Sequence, residues 1–318
     1  MVLSFFLLLV GLALVIKGAD FLVNGASALA MRLRISEMVI GLTIVAFGTS
    51  APELVVNVFS SLAQKNELVL GNIIGSNVFN TLLILGIAGL IYPLKVQRNS
   101  VRKEIPFSFL VTVFFFLAAN DFFLSGTAGG TISRLDGLAL LGLFALFLYY
   151  TFGLSKIKSD SSSEVILLPL SKTWLFIILG FVGLFLGGKL VVDYAVIIAR
   201  ELHVSDKLIG LTIVSAGTSF PELATSAVAA YKKRSDLAVG NVVGSNIFNL
   251  LLIIGVSAEI SPIPYSTAFN FDLFIFGVGT LFLLIAMFTL KSHRLDRWEA
   301  SILLSLYIIY MVMIIFRK

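Results

Sequence analysis

Long apolar stretches, separated by short polar connections, follow one another along the whole chain. Most reach or exceed the 20 or so residues that a helix needs to cross the hydrocarbon core of a bilayer. Divided at Pro, Gly and charged interruptions, the pattern predicts ten membrane-spanning helices, at 2–31, 36–63, 68–92, 102–120, 134–154, 172–200, 205–231, 236–259, 268–290 and 296–316. Several are longer than a straight helix requires, so tilted or broken helices are expected. The predicted fold class is an all-α polytopic membrane protein.

The composition agrees, since 58% of the 318 residues are hydrophobic and 13% are charged. The first apolar stretch has no basic region before it and no small-residue cleavage pattern after it, so it is interpreted as a retained span rather than a signal peptide. The chain has no cysteine, and its two histidines, His203 and His293, lie in predicted loops. Disulfides and thiolate metal sites are excluded, and an imidazole relay within the membrane is not expected. Any buried ion site must therefore consist of oxygen ligands.

Basic residues in the connections predict the orientation of the helices. With the N-terminus outside, the inner connections carry fifteen of them: Arg32, Arg34, Lys95, Arg98, Arg102, Lys103, Lys156, Lys158, Lys172, Lys232, Lys233, Arg234, Lys291, Arg294 and Arg297. The outer segments carry six: Lys65, Arg134, Arg200, Lys207, Arg317 and Lys318. Both termini are therefore predicted to lie on the outer side of the membrane. Topology and lipid headgroups account for the net charge of +5, so nucleic acid is not an expected partner.

The chain repeats itself. Residues 40–86 align with 209–255 at a constant offset of 169 without gaps, and 24 of the 47 positions are identical. This offset spans five predicted helices, an odd number, so the second copy enters the membrane from the opposite side. Inverted-topology repeats are typical of secondary transporters, whose substrate site lies near the midplane between the copies. The predicted organisation is a first five-helix repeat over 1–154, a short cytoplasmic linker over 155–171 and a second five-helix repeat over 172–318.

Two repeated phrases put polar residues at the centre of apolar spans. The first is GTSAPE at 48–53, which recurs as GTSFPE at 217–222. Proline removes a backbone donor and disfavours helix at the preceding residue, so a broken helix is expected. Freed carbonyls and half-helix ends at that depth are suited to ion binding. The phrases also supply hydroxyl and carboxylate oxygens, from Thr49, Ser50 and Glu53 and from Thr218, Ser219 and Glu222.

The second phrase, GNIIGSNVFN at 71–80, recurs as GNVVGSNIFN at 240–249. It places polar residues every four positions on one helical face: Asn72, Ser76 and Asn80, and likewise Asn241, Ser245 and Asn249. Together the phrases offer an oxygen-only cage suited to hard cations such as Ca²⁺, which takes six to eight oxygens at about 2.3 to 2.6 Å. Na⁺ can use similar ligands.

Structural explanations exist for parts of this pattern. Ser50 with Glu53, and Ser219 with Glu222, fit a capping box at the start of a half-helix. Yet carboxylates are costly at the bilayer centre, so two symmetric ones favour a balancing cation or a functional role. Four asparagines have a structural explanation as well, because their side chains can form hydrogen bonds between helices: Asn72, Asn77, Asn241 and Asn246. Within the long spans, Lys17 with Asp20, and Lys189 with Asp193, are interpreted as structural pairs at helical spacing.

The paired phrases on inverted repeats resemble the two alpha-repeats of the cation/calcium exchanger superfamily, in its sodium/calcium exchanger branch and of prokaryotic type. The resemblance covers the ten spans and implies ion ligands at Thr49, Ser50, Glu53, Ser76, Asn80, Thr218, Ser219, Glu222, Ser245 and Asn249, with carbonyls from Ala46 and Ser215. It also implies that the two glutamates bind Ca²⁺ directly and that Na⁺ occupies sites around the same residues. Some members, including potassium-dependent ones, carry Asp where Asn249 stands, so potassium cotransport is less expected here.

The leading hypothesis is a Na⁺/Ca²⁺ antiporter, not an enzyme, that works by alternating access. The resemblance implies that the first and sixth spans slide over the other eight. With Asn at 80 and 249 the cage has two formal negative charges, so one Ca²⁺ leaves it neutral and three Na⁺ leave it at +1. The number of oxygen ligands is large enough for three Na⁺ and the resemblance implies the same ratio, so a 3:1 electrogenic exchange is predicted. The alternative is Ca²⁺/H⁺ antiport on the same glutamates. A remote alternative is an intramembrane hydrolase, with the glutamates as acid and base or with Ser50 and Ser219 as nucleophiles. No cofactor, calcium-sensing domain or obligate protein partner is expected.

Overall fold

The computed structural model describes residues 2–120, 130–154, 168–202, 215–288 and 293–316. These ranges are almost entirely helical. In chain order the α-helices are α1 (Val2–Leu33), α2 (Glu37–Ile40), α3 (Ala46–Thr49), α4 (Ala51–Leu62), α5 (Asn66–Val78), α6 (Leu85–Ile91), α7 (Arg98–Ala119), α8 (Arg134–Leu154), α9 (Leu170–Glu201), α10 (Ser215–Gly217), α11 (Phe220–Tyr231), α12 (Ser235–Ile247), α13 (Ile254–Ile260), α14 (Asn270–Ala286) and α15 (Arg297–Phe316).

The remaining elements are short. Three π-helical turns occupy Gly41–Val45, Phe79–Ile84 and Phe248–Ile253, and a 3₁₀ turn occupies Thr267–Phe269. Four two-residue strands form two antiparallel ladders between connections: β1 (Leu94–Lys95) pairs with β4 (Arg294–Leu295), and β2 (Thr131–Ile132) pairs with β3 (Ile263–Pro264). The fold is therefore a helical bundle, and its few strands only join connections at the ends of helices.

Within the described ranges, seven helices are long and apolar enough to cross a membrane, or eight if one bent pair counts as a single span. They are Leu3–Leu33, Asn66–Ile91, Arg134–Gly153, Leu170–Glu201, Ser235–Ile260, Thr267–Ala286 and Arg297–Phe316, and the bent pair is Glu37–Thr49 with Ala51–Leu62. Each lies at one of the ten predicted spans. The chain is thus a multi-pass membrane protein.

Two of the ten predicted spans are not among these eight. The predicted span at 102–120 corresponds to α7, which begins with Arg98 and has Arg102, Lys103 and Glu104 in its first two turns. The predicted span at 205–231 begins in residues 203–214, which lie outside the described part, and continues as α10 and α11. The count of ten spans remains a prediction.

The sequence repeat is visible in the bounds of the helices. Adding 169 to the bounds of α4, α5 and α6 gives those of α11, α12 and α13, and adding it to the π-helical turn Phe79–Ile84 gives Phe248–Ile253. The two continuous spans of this set are also the most enclosed. In Asn66–Ile91, 78% of an apolar 18-residue stretch is buried, and in Ser235–Ile260 94% of such a stretch is buried, so these two spans form the centre of the bundle.

The longest helices, α1 and α9, pack against each other along glycines. A Cβ atom added to Gly18 would lie 2.7 Å from the backbone nitrogen of Leu184, and one added to Gly180 would lie 2.7 Å from Leu22. Small residues allow membrane helices to approach until their backbones touch. Glycines also bring α12 against the second span, since a Cβ on Gly244 would lie 2.7 Å from the Cβ of Ala46.

The predicted pairing of Lys17 with Asp20 is wrong. Oδ1 of Asp20 lies 2.5 Å from Nζ of Lys232, which follows α11, and this ammonium also donates to Oδ1 of Asn24 over 2.7 Å. Lys189 forms no ion pair with Asp193 in the part of the chain that the structure describes. Helical spacing brings charges to one face of a helix, but the neighbouring helix decides which partner is reached.

Candidate ion-binding site

The second span breaks at its centre, as predicted. Ser50 leaves the helical conformation with φ −82° and ψ 5°, and α4 continues at 47° to the segment Glu37–Thr49. Pro52 lies in the first turn of α4, where a missing backbone donor has no cost. The second copy is built alike, with Ser219 at φ −91° and ψ 7° between α10 and α11. Each break sets a carboxylate in the first turn of a half-helix.

The two carboxylates are buried and are held by serines of the opposite copy. Glu53 is 0% exposed and Glu222 is 1% exposed. Ser219 donates its hydroxyl to Oε1 of Glu53 over 3.0 Å, and Ser50 donates its hydroxyl to Oε1 of Glu222 over 3.0 Å. Neither serine caps its own half-helix through its side chain. The capping-box interpretation is therefore wrong for both serines, whose hydroxyls cross to the other copy.

Each carboxylate keeps one free oxygen. Oε2 of Glu53 and Oε2 of Glu222 are buried without a hydrogen-bond partner. Ser245 adds a longer hydrogen bond to Oε1 of Glu222, over 3.4 Å, whereas the buried hydroxyl of Ser76 has no partner. Unpartnered oxygens at such depth are unusual in proteins, and they mark a place where a ligand can bind.

The two candidate ligand asparagines are oriented by asparagines of the opposite copy. Asn80 donates its side-chain amide to Oδ1 of Asn246 over 3.2 Å, and Asn249 donates to Oδ1 of Asn77 over 2.9 Å. Because their NH₂ groups are held in this way, Oδ1 of Asn80 and Oδ1 of Asn249 remain buried without a partner. Asn77 and Asn246 therefore form hydrogen bonds between helices, which is one of the two interpretations that the sequence left open for them.

The threonines of the two phrases also bond across the copies. Thr49 donates to Oδ1 of Asn241 over 3.1 Å, and Thr218 donates to Oδ1 of Asn72 over 3.4 Å. Thr49 lies within 3.3 Å of the carbonyl of Ala46 as well, a carbonyl that also accepts the backbone N–H of Ser50. The hydrogen bonds of serines, threonines and asparagines therefore form three reciprocal sets, each related by the offset of 169.

The π-helical turns Phe79–Ile84 and Phe248–Ile253 were not predicted. Each begins one residue before a candidate ligand asparagine. A π-helical turn adds a residue to the local helix and is frequent at functional sites. It rotates the side chains that precede it relative to those that follow. No composition signal in the two segments would have indicated it.

Five of the twelve predicted site residues are joined to one another by hydrogen bonds between side chains, in two groups. Hydrogen bonds join Ser50, Ser245 and Glu222, and they join Ser219 to Glu53. Ser215 begins α10, but its side chain lies outside the described part.

Neutral oxygens outnumber charges in this region. Within the described ranges no group of three or more His, Cys, Asp or Glu could hold a metal ion, and no ion pair involves either buried glutamate. The two carboxylates therefore carry the negative charge of this region, and neutral hydroxyl and amide oxygens lie around them. Such a set suits hard cations that accept oxygen ligands.

Comparison with known proteins agrees with this chemistry. The family described as sodium/calcium exchanger protein matches residues 3–153 and 172–316. The putative antiporter CaxA of Alkalimonas amylolytica is 38% identical over 314 residues, 95% of each chain. The sodium/calcium exchanger MaX1 of Methanosarcina acetivorans is 30% identical over 349 residues, covering 98% of this chain and 99% of the relative. A solved structure of the sodium-calcium exchanger NCX_Mj superimposes with a TM-score of 0.84 at 31% identity, covering 100% of this chain and 99% of that one.

Proposed function

This chain belongs to the sodium/calcium exchanger family, in its prokaryotic type, and from that premise we propose that it exchanges Na⁺ for Ca²⁺ across a cell membrane by alternating access. One observation carries the proposal: two buried glutamates, each held by a serine of the opposite copy, each retain an unpartnered oxygen. Ca²⁺ and Na⁺ are the substrates, and the site needs no resident cofactor.

The proposed ligands are those of the two repeated phrases. They are Thr49, Ser50, Glu53, Ser76 and Asn80, their counterparts Thr218, Ser219, Glu222, Ser245 and Asn249, and the carbonyls of Ala46 and Ser215. Support comes from the four free oxygens on the two glutamates and on Asn80 and Asn249. Ca²⁺ needs the carboxylates because it is doubly charged. Na⁺ can use the same carboxylates with hydroxyl and amide oxygens, so the two cations compete for one region.

We propose that ten spans form two inverted five-helix repeats, 1–154 and 172–318, with both termini outside. The reciprocal hydrogen bonds at the offset of 169 support the two repeats, because each half of the chain completes the site of the other, and the distribution of basic residues supports the orientation. A cation bound at either glutamate touches hydrogen-bond partners from both halves. Both carboxylate environments thus belong to one centre built from both halves, and the first and sixth spans, which slide over the other eight, would expose it to one side of the membrane at a time, as alternating access requires.

The exchange is proposed to be 3 Na⁺ for 1 Ca²⁺. Two carboxylates carry two formal negative charges, so one Ca²⁺ leaves the site neutral and three Na⁺ leave it at +1. One net positive charge then crosses the membrane in each cycle. The two copies together supply enough oxygen ligands for three Na⁺ ions.

The test is ⁴⁵Ca²⁺ uptake by proteoliposomes that contain the purified protein. An outward Na⁺ gradient should drive accumulation at uniform pH, and an imposed pH gradient without Na⁺ should not. Empty liposomes and the Glu53→Gln variant are the controls for leak. Uptake that follows the pH gradient and ignores Na⁺ would contradict the proposal.

That result would support the second candidate, Ca²⁺/H⁺ antiport. The observation in its favour is that neither buried glutamate has a basic partner in the described ranges, so a proton could neutralise each after Ca²⁺ leaves. A hydrolase is the weakest candidate. Ser50 and Ser219 bond directly to carboxylates without an imidazole between them, and the relatives named above are antiporters or exchangers.

A further inference from the structure

The two candidate ligand asparagines, Asn80 and Asn249, are held by partners whose own amides are bonded differently. Oδ1 of Asn246 accepts the NH₂ group of Asn80. In the same way, Oδ1 of Asn77 accepts the NH₂ group of Asn249. All four side chains are at most 3% exposed. The two pairs differ at the other end of each partner, in the contacts of its own NH₂ group.

The NH₂ group of Asn246 is bonded to Thr81. Nδ2 of Asn246 donates to Oγ1 of Thr81 over 2.8 Å, and the bond lies in the core because Thr81 is 1% exposed. The methyl group of Thr81 faces α14, where a Cβ atom built on Gly279 would lie 3.2 Å from Cγ2. Packing on that side keeps the hydroxyl directed at Asn246. The amide of Asn246 is therefore held at both its oxygen and its nitrogen.

The NH₂ group of Asn77 is buried and has no hydrogen-bond partner among the described residues. At the offset of 169, Leu250 stands where the other copy has Thr81, and its apolar side chain is 1% exposed. This is the single difference between the two π-helical turns, which read FNTLLI at 79–84 and FNLLLI at 248–253. One change between the copies thus leaves Asn77 held at its oxygen alone.

The missing hydrogen bond makes one amide pair easier to turn than the other. Turning Asn246 breaks two hydrogen bonds, whereas turning Asn77 breaks only the one that it accepts from Asn249. A buried donor without a partner is costly, and the NH₂ group of Asn77 gains nothing from its present orientation. Asn249 is therefore restrained by one hydrogen bond fewer than Asn80. The net effect of one hydrogen bond corresponds to about fivefold in an equilibrium constant.

We propose that Thr81 is a positioning residue, which keeps the oxygen of Asn80 directed at the cation throughout the exchange cycle. Its replacement by Leu250 in the second copy lets Asn249 turn as a cation binds and leaves. This deepens, and rests on, the proposed function. The fixed oxygen of Asn80 favours affinity, because it needs no ordering when the cation binds. The turning of Asn249 withdraws one ligand and so favours release.

Substitution of Thr81 tests the positioning role. Thr81→Val keeps the shape of the side chain and removes its hydroxyl, so the half-saturating Ca²⁺ concentration for exchange should rise about fivefold without a fall in the maximal rate. Thr81→Ser retains the hydroxyl and lacks the methyl group, and it should keep the wild-type values. Equal shifts in the two variants, or no shift in Thr81→Val, would overturn the role of the hydroxyl.

The converse change is Leu250→Thr, and Leu250→Val is its matched control because valine and threonine have the same shape. The two π-helical turns are equivalent, so the new hydroxyl should face Nδ2 of Asn77 and fix Asn249. Relative to Leu250→Val, Leu250→Thr should lower both the half-saturating Ca²⁺ concentration and the maximal rate about fivefold. Equal values in the two variants would show that Asn249 does not turn during exchange.

Nuclear magnetic resonance measures the motion of the two amides independently of transport. In purified protein labelled with ¹⁵N-asparagine, the signals are assigned with Asn80→Asp and Asn249→Asp. Without Ca²⁺, the NH₂ group of Asn249 should have a lower order parameter than that of Asn80, and Leu250→Thr should remove the difference. Equal order parameters in the wild type would overturn the proposal. If the wild type exchanges no Ca²⁺, the proposed function fails, while this comparison still decides the role of Thr81.

Discussion

The hydroxyl of Ser50 donates to Oε1 of Glu222, 172 residues further along the chain, over 3.0 Å. The reverse bond, from Ser219 to Glu53, has the same length. Neither half of the chain therefore holds its own carboxylate through its own serine. The consequence is that the site exists only when both halves are folded and in contact, and that a disturbance on one side reaches the carboxylate of the other.

Glu53→Gln and Glu222→Gln should each abolish Ca²⁺ transport while leaving a folded, extractable protein. Each substitution removes half of the charge that balances Ca²⁺ and keeps the size and polarity of the side chain. Uptake of ⁴⁵Ca²⁺ and size-exclusion chromatography measure the two effects. Glu67→Gln is the control, because Glu67 is an exposed carboxylate in the first turn of α5. Near-normal flux in either glutamate variant would remove that carboxylate from the site.

Asn246→Ala should weaken transport without removing any proposed ligand. The substitution frees the amide of Asn80 to rotate, so its Oδ1 is no longer held toward a cation. Loss of this hydrogen bond should cost about 1 to 3 kcal/mol, equivalent to a rise of roughly 5- to 150-fold in the half-saturating Ca²⁺ concentration.

A matched control for Asn246 is Asn120→Ala. Asn120 and Asn270 exchange two hydrogen bonds of 2.9 Å in an amide pair that includes no proposed ligand. This variant should lower the thermal stability and leave the Ca²⁺ dependence as it is. Equal effects of the two substitutions on Ca²⁺ dependence would show that Asn246 has only a structural role.

Asn72→Ala should weaken Ca²⁺ transport less than Asn246→Ala does, since the hydrogen bond that Asn72 accepts from Thr218 is long, at 3.4 Å.

Gly18→Ala should lower the midpoint of thermal unfolding in detergent. The added Cβ would lie 2.7 Å from the backbone of Leu184, and backbone cannot move aside as a flexible side chain can. Gly142→Ala in α8 is the control, because a Cβ there meets nothing within 4 Å and alanine favours the helix by about 1 kcal/mol. A stable Gly18→Ala protein would show that α1 and α9 can separate without loss of stability.

The proposed stoichiometry predicts sensitivity to membrane potential. When outward Na⁺ drives Ca²⁺ uptake, three Na⁺ leave the lumen for each Ca²⁺ that enters, so one positive charge leaves per cycle. That charge is worth roughly 2.3 kcal/mol per 100 mV. With the potential clamped by a potassium ionophore, a negative lumen should slow uptake and a positive lumen should speed it. If rate and final accumulation ignore the potential, the exchange is electroneutral and the 3:1 ratio is wrong.

Single cysteines test the predicted orientation. A cysteine at Ser162, which lies outside the described residues, should react from the cytoplasmic side, and one at Ser266 should react from the outer side. Ser266 precedes the turn Thr267–Phe269 and is exposed, so access to its side chain does not depend on unfolding. The reverse labelling pattern would show that the predicted orientation is wrong. The two repeats would still be inverted relative to each other in the membrane.

Local features of the fold and the site were predictable from the sequence. Eight of the predicted spans coincide with the long or bent helices, because hydrophobic length alone decides whether a helix can cross a bilayer. The breaks at Ser50 and Ser219 follow from the neighbouring prolines Pro52 and Pro221. The structure places Glu53 and Glu222 in the centre of the protein, as the repeated phrases indicated.

Partnerships between distant residues could not be predicted. The pairing of Asp20 with Lys232 instead of Lys17, and the bonds from Asn80 to Asn246 and from Ser50 to Glu222, depend on which helix faces meet. The sequence states which residues share a face of one helix, since backbone geometry repeats every 3.6 residues. It does not state the rotation and height at which that face meets another helix, and only the packed tertiary structure decides those two quantities.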